Sequence, residues 1–349
     1  MSSRMQALVY YDRGASEQSA DALVKSLKTL LDPSILVKKV DSTYLKTSSW
    51  EGRTVVLAMG GGICSQWDAQ LQDEERKKIH EYVRKGGKFL GLCAGAYYES
   101  QHTSFSLPGG SCMEKKRSFP FFPGKAIGPL VQVDDYLSPS AARAAAVAFK
   151  IRGKVQPGAL YYQGGCFFDV AQESSQLQII ARYRSFSGEL PAAINCKVGK
   201  GGAFLCGLHP EFAWTEDLKE GTDPIVASLA EELCPQESFR RQVWKEIGEM
   251  LSLSDDPVRR KIVDRGSKCR KTHCRKKRAS TSSKEDKKSK SVLKEEKTYL
   301  QEMKEFFSTS FEAMVKFVFF FFIFNSAGCR SGRKFDDGLL QGNRSLRNR

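Results

Sequence analysis

The chain has 349 residues and a formal charge of +15, unevenly placed: residues 1–250 carry a net +2 and residues 251–349 a net +13. A hydrophobic content of 41% with 11% aromatic residues excludes a wholly disordered chain. No repeat recurs at the period of about 20–50 residues that marks a solenoid or propeller.

Met1–Gln6 is short and polar and does not read as a secretory signal. The ten cysteines are therefore expected as reduced thiols of a cytoplasmic protein. Ala7–Tyr11 is an apolar run that predicts a first strand, followed by turn residues Asp12, Gly14 and Ser16. Leu23, Val24, Leu27, Leu30 and Leu31 recur at helical spacing and predict a helix over Ala20–Leu31. Ile35–Val40 and Thr54–Met59 predict two further strands, the latter running into Gly60-Gly61-Gly62. Asp73–Lys85 predicts an amphipathic helix closed by Gly86-Gly87, and Lys88–Leu92 a fourth strand. Continuous apolar strands alternating with helices predict a parallel sheet covered on both faces. Residues 103–126, with several Gly and Pro and the cluster Phe119, Phe121 and Phe122, read as an irregular insertion. Strand patterns resume at Ala145–Ile151, Ala159–Tyr162, Leu177–Tyr183, Pro191–Val198 and Ala203–Leu208, as hairpins or mixed strands completing the sheet. Asp223–Leu233 and Glu237–Leu251 predict two closing helices.

Beyond residue 252 the composition changes. Residues 253–300 read as a disordered basic linker, and residues 301–349 as a tail with the apolar segment Phe317–Phe324. Eight apolar residues fall short of the roughly 20 that a spanning helix needs, so no transmembrane span is expected. The run Lys271–Arg278 is a candidate nuclear-localisation signal or acidic-partner contact, set against the plainer reading of a solvated linker. No aromatic residues interleave with the basic residues of 257–290, so specific nucleic-acid binding is not expected. Cys269 and Cys274 flank His273 without a second ligand pair, and neither metal nor cofactor is expected.

Three short segments carry candidate chemistry. In Phe89–Ala96 a strand ends at Leu92, Cys93 follows, and small residues surround it. A sharp strand-to-helix turn needs small neighbours, and the start of a helix stabilises a thiolate. The same cysteine also fits a small buried hydrophobe. In Gly199–Phe212 a strand delivers His209, with Glu211 two residues on, the residue types that a thiol nucleophile needs as base and orienting acid. A lone histidine at a strand end is otherwise a satisfied core or surface imidazole. Gly60 and Gly61 let backbone N–H groups approach a substrate oxygen, although a glycine triplet alone also makes a plain turn.

In this order the Gly-Gly turn, the G-x-C-x-G elbow and His-Pro-Glu resemble class I glutamine amidotransferase-like domains. The resemblance is closer to one branch, the N-terminal domain of eukaryotic-type biotin–protein ligases. It is carried by LVYYDRGAS, VRKGGKFLGLCAGAYY, FFPG at 121–124, YYQGGCFF at 161–168 and PAAINCKVGKGGAFLCGLHPEF at 191–212. It implies a flavodoxin-like three-layer α/β sandwich over residues 5–252, with a mostly parallel central sheet and added antiparallel strands. It further implies Cys93 as nucleophile, His209 as its base, Glu211 as the orienting acid, and N–H groups near Gly61 and of Ala94 as an oxyanion hole. Two departures shape the expected activity. Ala96 stands where glutamine-hydrolysing relatives carry Gln, so free glutamine is not the expected substrate. Nothing after residue 215 resembles the GRGRG-type adenylate loop of the ligases, so biotin transfer by this chain alone is not expected. Two readings follow: a thiol acyl-transfer enzyme acting on an unknown small molecule, or a non-catalytic small-molecule-binding or regulatory module.

Overall fold

The computed structural model describes residues 4–136, 138–186, 188–214 and 224–253. The chain divides into two compact units, Met1–Ser280 and Thr281–Arg349, and every described residue belongs to the first. The expected linker at 253–300, with its basic run, and the Phe-rich tail at 301–349 lie outside the described residues, apart from Leu253.

In chain order the elements are β1 (Gln6–Tyr10), α1 (Glu17–Leu30), β2 (Leu36–Val40), α2 (Ser42–Thr47), β3 (Thr54–Met59), α3 (Cys64–Trp67), α4 (Asp73–Arg84), β4 (Lys88–Leu92) and α5 (Ala94–Tyr98). Then follow β5 (Ser100–Ser106), β6 (Cys112–Lys116), β7 (Phe122–Gly128), β8 (Ala142–Ile151), β9 (Lys154–Gln163) and β10 (Phe167–Asp169). The last are β11 (Leu177–Tyr183), β12 (Pro191–Val198), β13 (Gly201–Cys206), α6 (Pro224–Leu233) and α7 (Glu237–Met250).

Nine strands form one mixed sheet in the order β2-β1-β3-β4-β13-β12-β11-β8-β9. From β2 to β13 every neighbour is parallel, and from β13 to β9 every neighbour is antiparallel. The antiparallel half is therefore as wide as the parallel half, where the sequence predicts a mostly parallel sheet with a few added strands. Connection length explains it. The short links at 152–153, 184–190 and 199–200 close only hairpins, whereas parallel neighbours need a long crossover.

Alternation along the strands builds two cores. Ala7 and Val9 of β1 face a core shared with Leu23 and Leu27 of α1 and Val243 and Ile247 of α7. Leu8 and Tyr10 face the opposite core, with Ile79, Tyr82 and Val83 of α4 and Tyr97 of α5. Each fully buried Leu or Val contributes about 1.5–3 kcal/mol, so both faces of the sheet are committed to burial. Helix α1 begins a turn earlier than its apolar pattern predicts, because the Ser16 hydroxyl accepts the Ser19 N–H at 3.3 Å and caps it. Helix α4 starts with a capping box between Gln72 and Glu75 and buries Arg76, Ile79, Tyr82 and Val83.

The stretch 103–126 is not irregular. It supplies most of β5, all of β6 and most of β7, which with β10 form a separate four-stranded sheet in the order β10-β7-β5-β6. Its strands are polar or broken by Pro123 and Gly124, and β6 is exposed along its whole length, so no apolar alternation announces them.

Between the two β-rich parts lies the sharp turn from β4 into α5. Cys93 holds φ +49°, a left-handed conformation that non-glycine residues rarely adopt. The turn closes because the Gly95 N–H donates to the Gly60 carbonyl at 3.0 Å, and a Cβ at Gly95 would collide with the Met59 carbonyl. Gly95→Ala should cost about 1–3 kcal/mol and lower the thermal midpoint by several degrees, measured by calorimetry against wild type.

Candidate functional site

Four segments converge at the carboxyl ends of the parallel strands. Strand β4 ends just before Cys93, and strand β13 ends three residues before His209. The two strands pair with Leu92 opposite Cys206, and the Cys93 N–H donates to the Cys206 carbonyl at 2.8 Å. The His209 N–H donates to the carbonyl of Tyr161 at 2.9 Å, tying the histidine loop to β9. Strand β3 contributes the glycine turn, and α1 contributes Ser19.

The His209 imidazole is buried, and its Nδ1 lies 2.8 Å from Glu211 Oε1. Its ring is also within hydrogen-bonding reach of the Cys93 thiol. Cys93, His209 and Glu211 are thus brought together in one chain of contacts. Burial alone would lower the basicity of His209. The Glu211 carboxylate and Cys93 outweigh it and push the imidazole up to about 10.

Cys93 is only 7% exposed, and its thiol contacts the Gln163 carbonyl at 3.6 Å. Helix α5 spans only five residues. Within its first turn the Gly95, Ala96 and Tyr97 N–H groups all have backbone acceptors. The Ala94 N–H, at the first helical position, has no acceptor within the helix. The glycine turn is built around its neighbours. A Cβ at Gly61 would sit 2.8 Å from His209 Cε1, so the imidazole packs directly on the Gly61 backbone. The Gly60 carbonyl holds Gly95, while the Gly61 N–H donates to Ser19 Oγ at 2.8 Å and is not free for a substrate oxygen in this arrangement.

Several residues of the site carry no readable signal in the sequence. Ser19 donates to Glu211 Oε1 at 2.7 Å from inside an amphipathic helix, where it reads as one more polar position. Ser26 of α1 donates to the Glu211 backbone carbonyl at 3.0 Å, and the Trp244 indole of α7 donates to the Ser26 carbonyl at 2.9 Å. The rings of Tyr161 and Phe212 lie 5.6 and 5.4 Å from the His209 ring, and Trp214 lies 5.5 Å from Tyr161. The segment YYQGGCFF contains Tyr161 and Gln163, but nothing in its pattern distinguishes them from ordinary strand residues.

Among the described residues no group of three or more His, Cys, Asp or Glu side chains is placed to hold a metal ion. None of the described helices is long and apolar enough to cross a membrane.

The match that decides the family runs over residues 5–264, to the family described as biotin-protein ligase, N terminal. The chain belongs to the biotin-protein ligase N-terminal family. Its relatives include the biotin–protein ligase of Schizosaccharomyces pombe, 32% identical over 212 residues, covering 60% of this chain and 34% of the ligase. The chain thus spans about a third of that ligase. An uncharacterized protein of Chlamydia muridarum is 35% identical over 210 residues, covering 59% of this chain and 80% of that protein. A solved GMP synthase-like protein of Thermoplasma acidophilum superimposes with a TM-score of 0.38 at 10% identity, over 76% of this chain and all of the other. That likeness is too distant to carry any functional argument.

For this family member the buried ion pair sets a pH dependence. The folded His209 binds its proton more tightly than an unfolded imidazole near 6.5. Its stabilising contribution is therefore complete below that value and is lost as pH rises through about 10. Glu211→Gln keeps an oxygen for both donors but removes the charge. The His209 titration midpoint, followed by NMR at Cε1–H, should then fall by about two units or more. A midpoint that stays near 10 in the variant would show that the carboxylate does not raise it.

Proposed function

We propose that this domain performs thiol-dependent acyl transfer, on a flavodoxin-like scaffold of the class I glutamine amidotransferase type. The single observation that carries the reading is the chain from Glu211 Oε1 through His209 Nδ1, at 2.8 Å, to an imidazole within reach of a thiol held in a strained turn. Backbone strain of this kind is found where a side chain is held out for chemistry.

In the proposed reaction His209 takes the Cys93 proton, and the sulfur attacks a carbonyl carbon of an amide, ester or thioester. The oxygen gains charge, and the Ala94 N–H, with the turn at Gly60 and Gly61, stabilises it. Collapse expels the leaving group with a proton from His209 and leaves an S-acyl Cys93. Water, deprotonated by the same imidazole, then releases the acid. Glu211 keeps Nδ1 protonated and the ring oriented throughout. Ala96 replaces the glutamine of the glutamine-hydrolysing relatives, which favours a small acyl substrate other than free glutamine. The ligase activity of the fission yeast relative resides in a protein of which this chain spans about a third, and biotin transfer by this chain alone is not part of the reading.

One observation favours the alternative of a non-catalytic binding or regulatory module. The thiol is nearly buried, and the Gly61 N–H is already engaged. The two readings separate with p-nitrophenyl acetate as acyl donor. The enzyme reading expects a burst of nitrophenolate and an acetyl adduct on the Cys93 peptide, both abolished in Cys93→Ser. His209→Ala should slow adduct formation by about 100-fold, within the range usual for a general base. Acetylation spread over the other cysteines, with none favouring Cys93, would instead support the binding module.

A further inference from the structure

We infer that Ser19 is a positioning residue of this site, a clasp that fixes the Glu211 carboxylate and the glycine turn against each other. The inference rests on the acyl-transfer reading and extends it to a residue outside every segment that carries the family resemblance. The nearest such segment, LVYYDRGAS, ends at Ser16.

Ser19 is the third residue of α1 and is 1% exposed. A serine hydroxyl in a helix ordinarily turns back to a carbonyl of the preceding turn or reaches solvent. This one does neither. Its single proton goes to Glu211 Oε1 at 2.7 Å, and its oxygen accepts the Gly61 N–H at 2.8 Å. The hydroxyl therefore joins three chain segments far apart in sequence: α1, the turn after β3 and the loop after β13.

Glu211 depends on this bond more than an exposed carboxylate would. Oε1 receives two donors, the Ser19 hydroxyl and His209 Nδ1, while the buried Oε2 has no hydrogen-bond partner. Rotation of the carboxylate would exchange the two oxygens, and without Ser19 only the imidazole would oppose it. A buried carboxylate with one donor is costly. Losing the hydroxyl therefore loosens the group that orients His209.

The same hydroxyl positions the other wall of the imidazole. Gly61 lies so close to His209 that a Cβ there would meet Cε1 at 2.8 Å, and a Cβ at Gly60 would collide with Ser19 Oγ itself. Glycine is needed at both positions because the Ser19 and His209 side chains already fill the space. Ser19→Ala would leave the Gly61 N–H without its acceptor and free the turn to shift against the ring.

The test uses the full chain. Alkylation of Cys93 by iodoacetamide is followed by peptide mass spectrometry, with the exposed Cys112 as internal standard. In parallel, the His209 Nδ1–H resonance is followed by 15N-edited NMR. In wild type Cys93 should react faster than Cys112, and the Nδ1–H should be protected from exchange. Ser19→Ala should slow Cys93 alkylation about 10-fold, the equivalent of one charge-assisted hydrogen bond, leave Cys112 unchanged, and broaden the Nδ1–H signal. Ser19→Cys keeps the shape with a weaker donor and should fall between, and it decides alone if the alanine variant does not fold. A folded variant with the wild-type Cys93 rate and a protected Nδ1–H overturns the role of Ser19, while His209→Ala, slow in the same assay, leaves the acyl-transfer reading standing. A wild-type Cys93 no faster than Cys112 and indifferent to His209→Ala overturns that reading and the Ser19 role with it.

Discussion

Parallel pairing of β4 with β13 is the constraint on which the rest of the site depends. The register sets Leu92 opposite Cys206, so the two chains leave the sheet side by side, one into the elbow at Cys93 and the other toward His209. The bond from the Cys93 N–H to the Cys206 carbonyl continues the ladder one step past β4 and fixes the strained residue at its end. Because β3 is the neighbour of β4 on the other side, the glycine turn reaches the same spot, and Gly60 accepts from the helix that Cys93 begins. The carboxyl ends of parallel strands are where open α/β sheets commonly hold ligands, since loops and helix starts gather there.

The second determinant is a buried charge. A carboxylate taken out of water is destabilising unless it is paired and hydrogen-bonded. Glu211 meets both conditions through His209 and Ser19, and its own backbone carbonyl is held by Ser26, which in turn is tied to Trp244 of α7. Two helices on one face of the sheet thus brace a loop at its edge, and the apolar packing of α1 and α7 is coupled to the orientation of a single imidazole.

Much of this organisation is legible in the sequence, and the exceptions have physical causes. The first four strands are continuous apolar runs bounded by turn residues, which is what burial on both faces demands. Cys93 and His209 sit at strand ends because apolar segments stop there, and their placement could be read without coordinates. The strands β5, β6 and β7 could not. They lie in a small sheet with an exposed edge, where polar side chains suffice and no alternation is enforced. Ser19 escaped for a different reason. Its partners come from positions 61 and 211, and a tertiary hydrogen bond leaves no period in the chain. The width of the antiparallel half depended on loop lengths that only the paired strands reveal.

The separation of β4 from β13 along the chain has a consequence for how the protein is made. More than a hundred residues, including the whole second sheet, are synthesised between the two strands. At about 5–20 residues per second, the edge of β4 waits on the order of ten seconds on the ribosome before its native neighbour emerges. An unpaired apolar edge is a template for wrong partners during that interval. The nascent chain is therefore most exposed to mispairing along Lys88–Leu92, the strand that ends at the nucleophile.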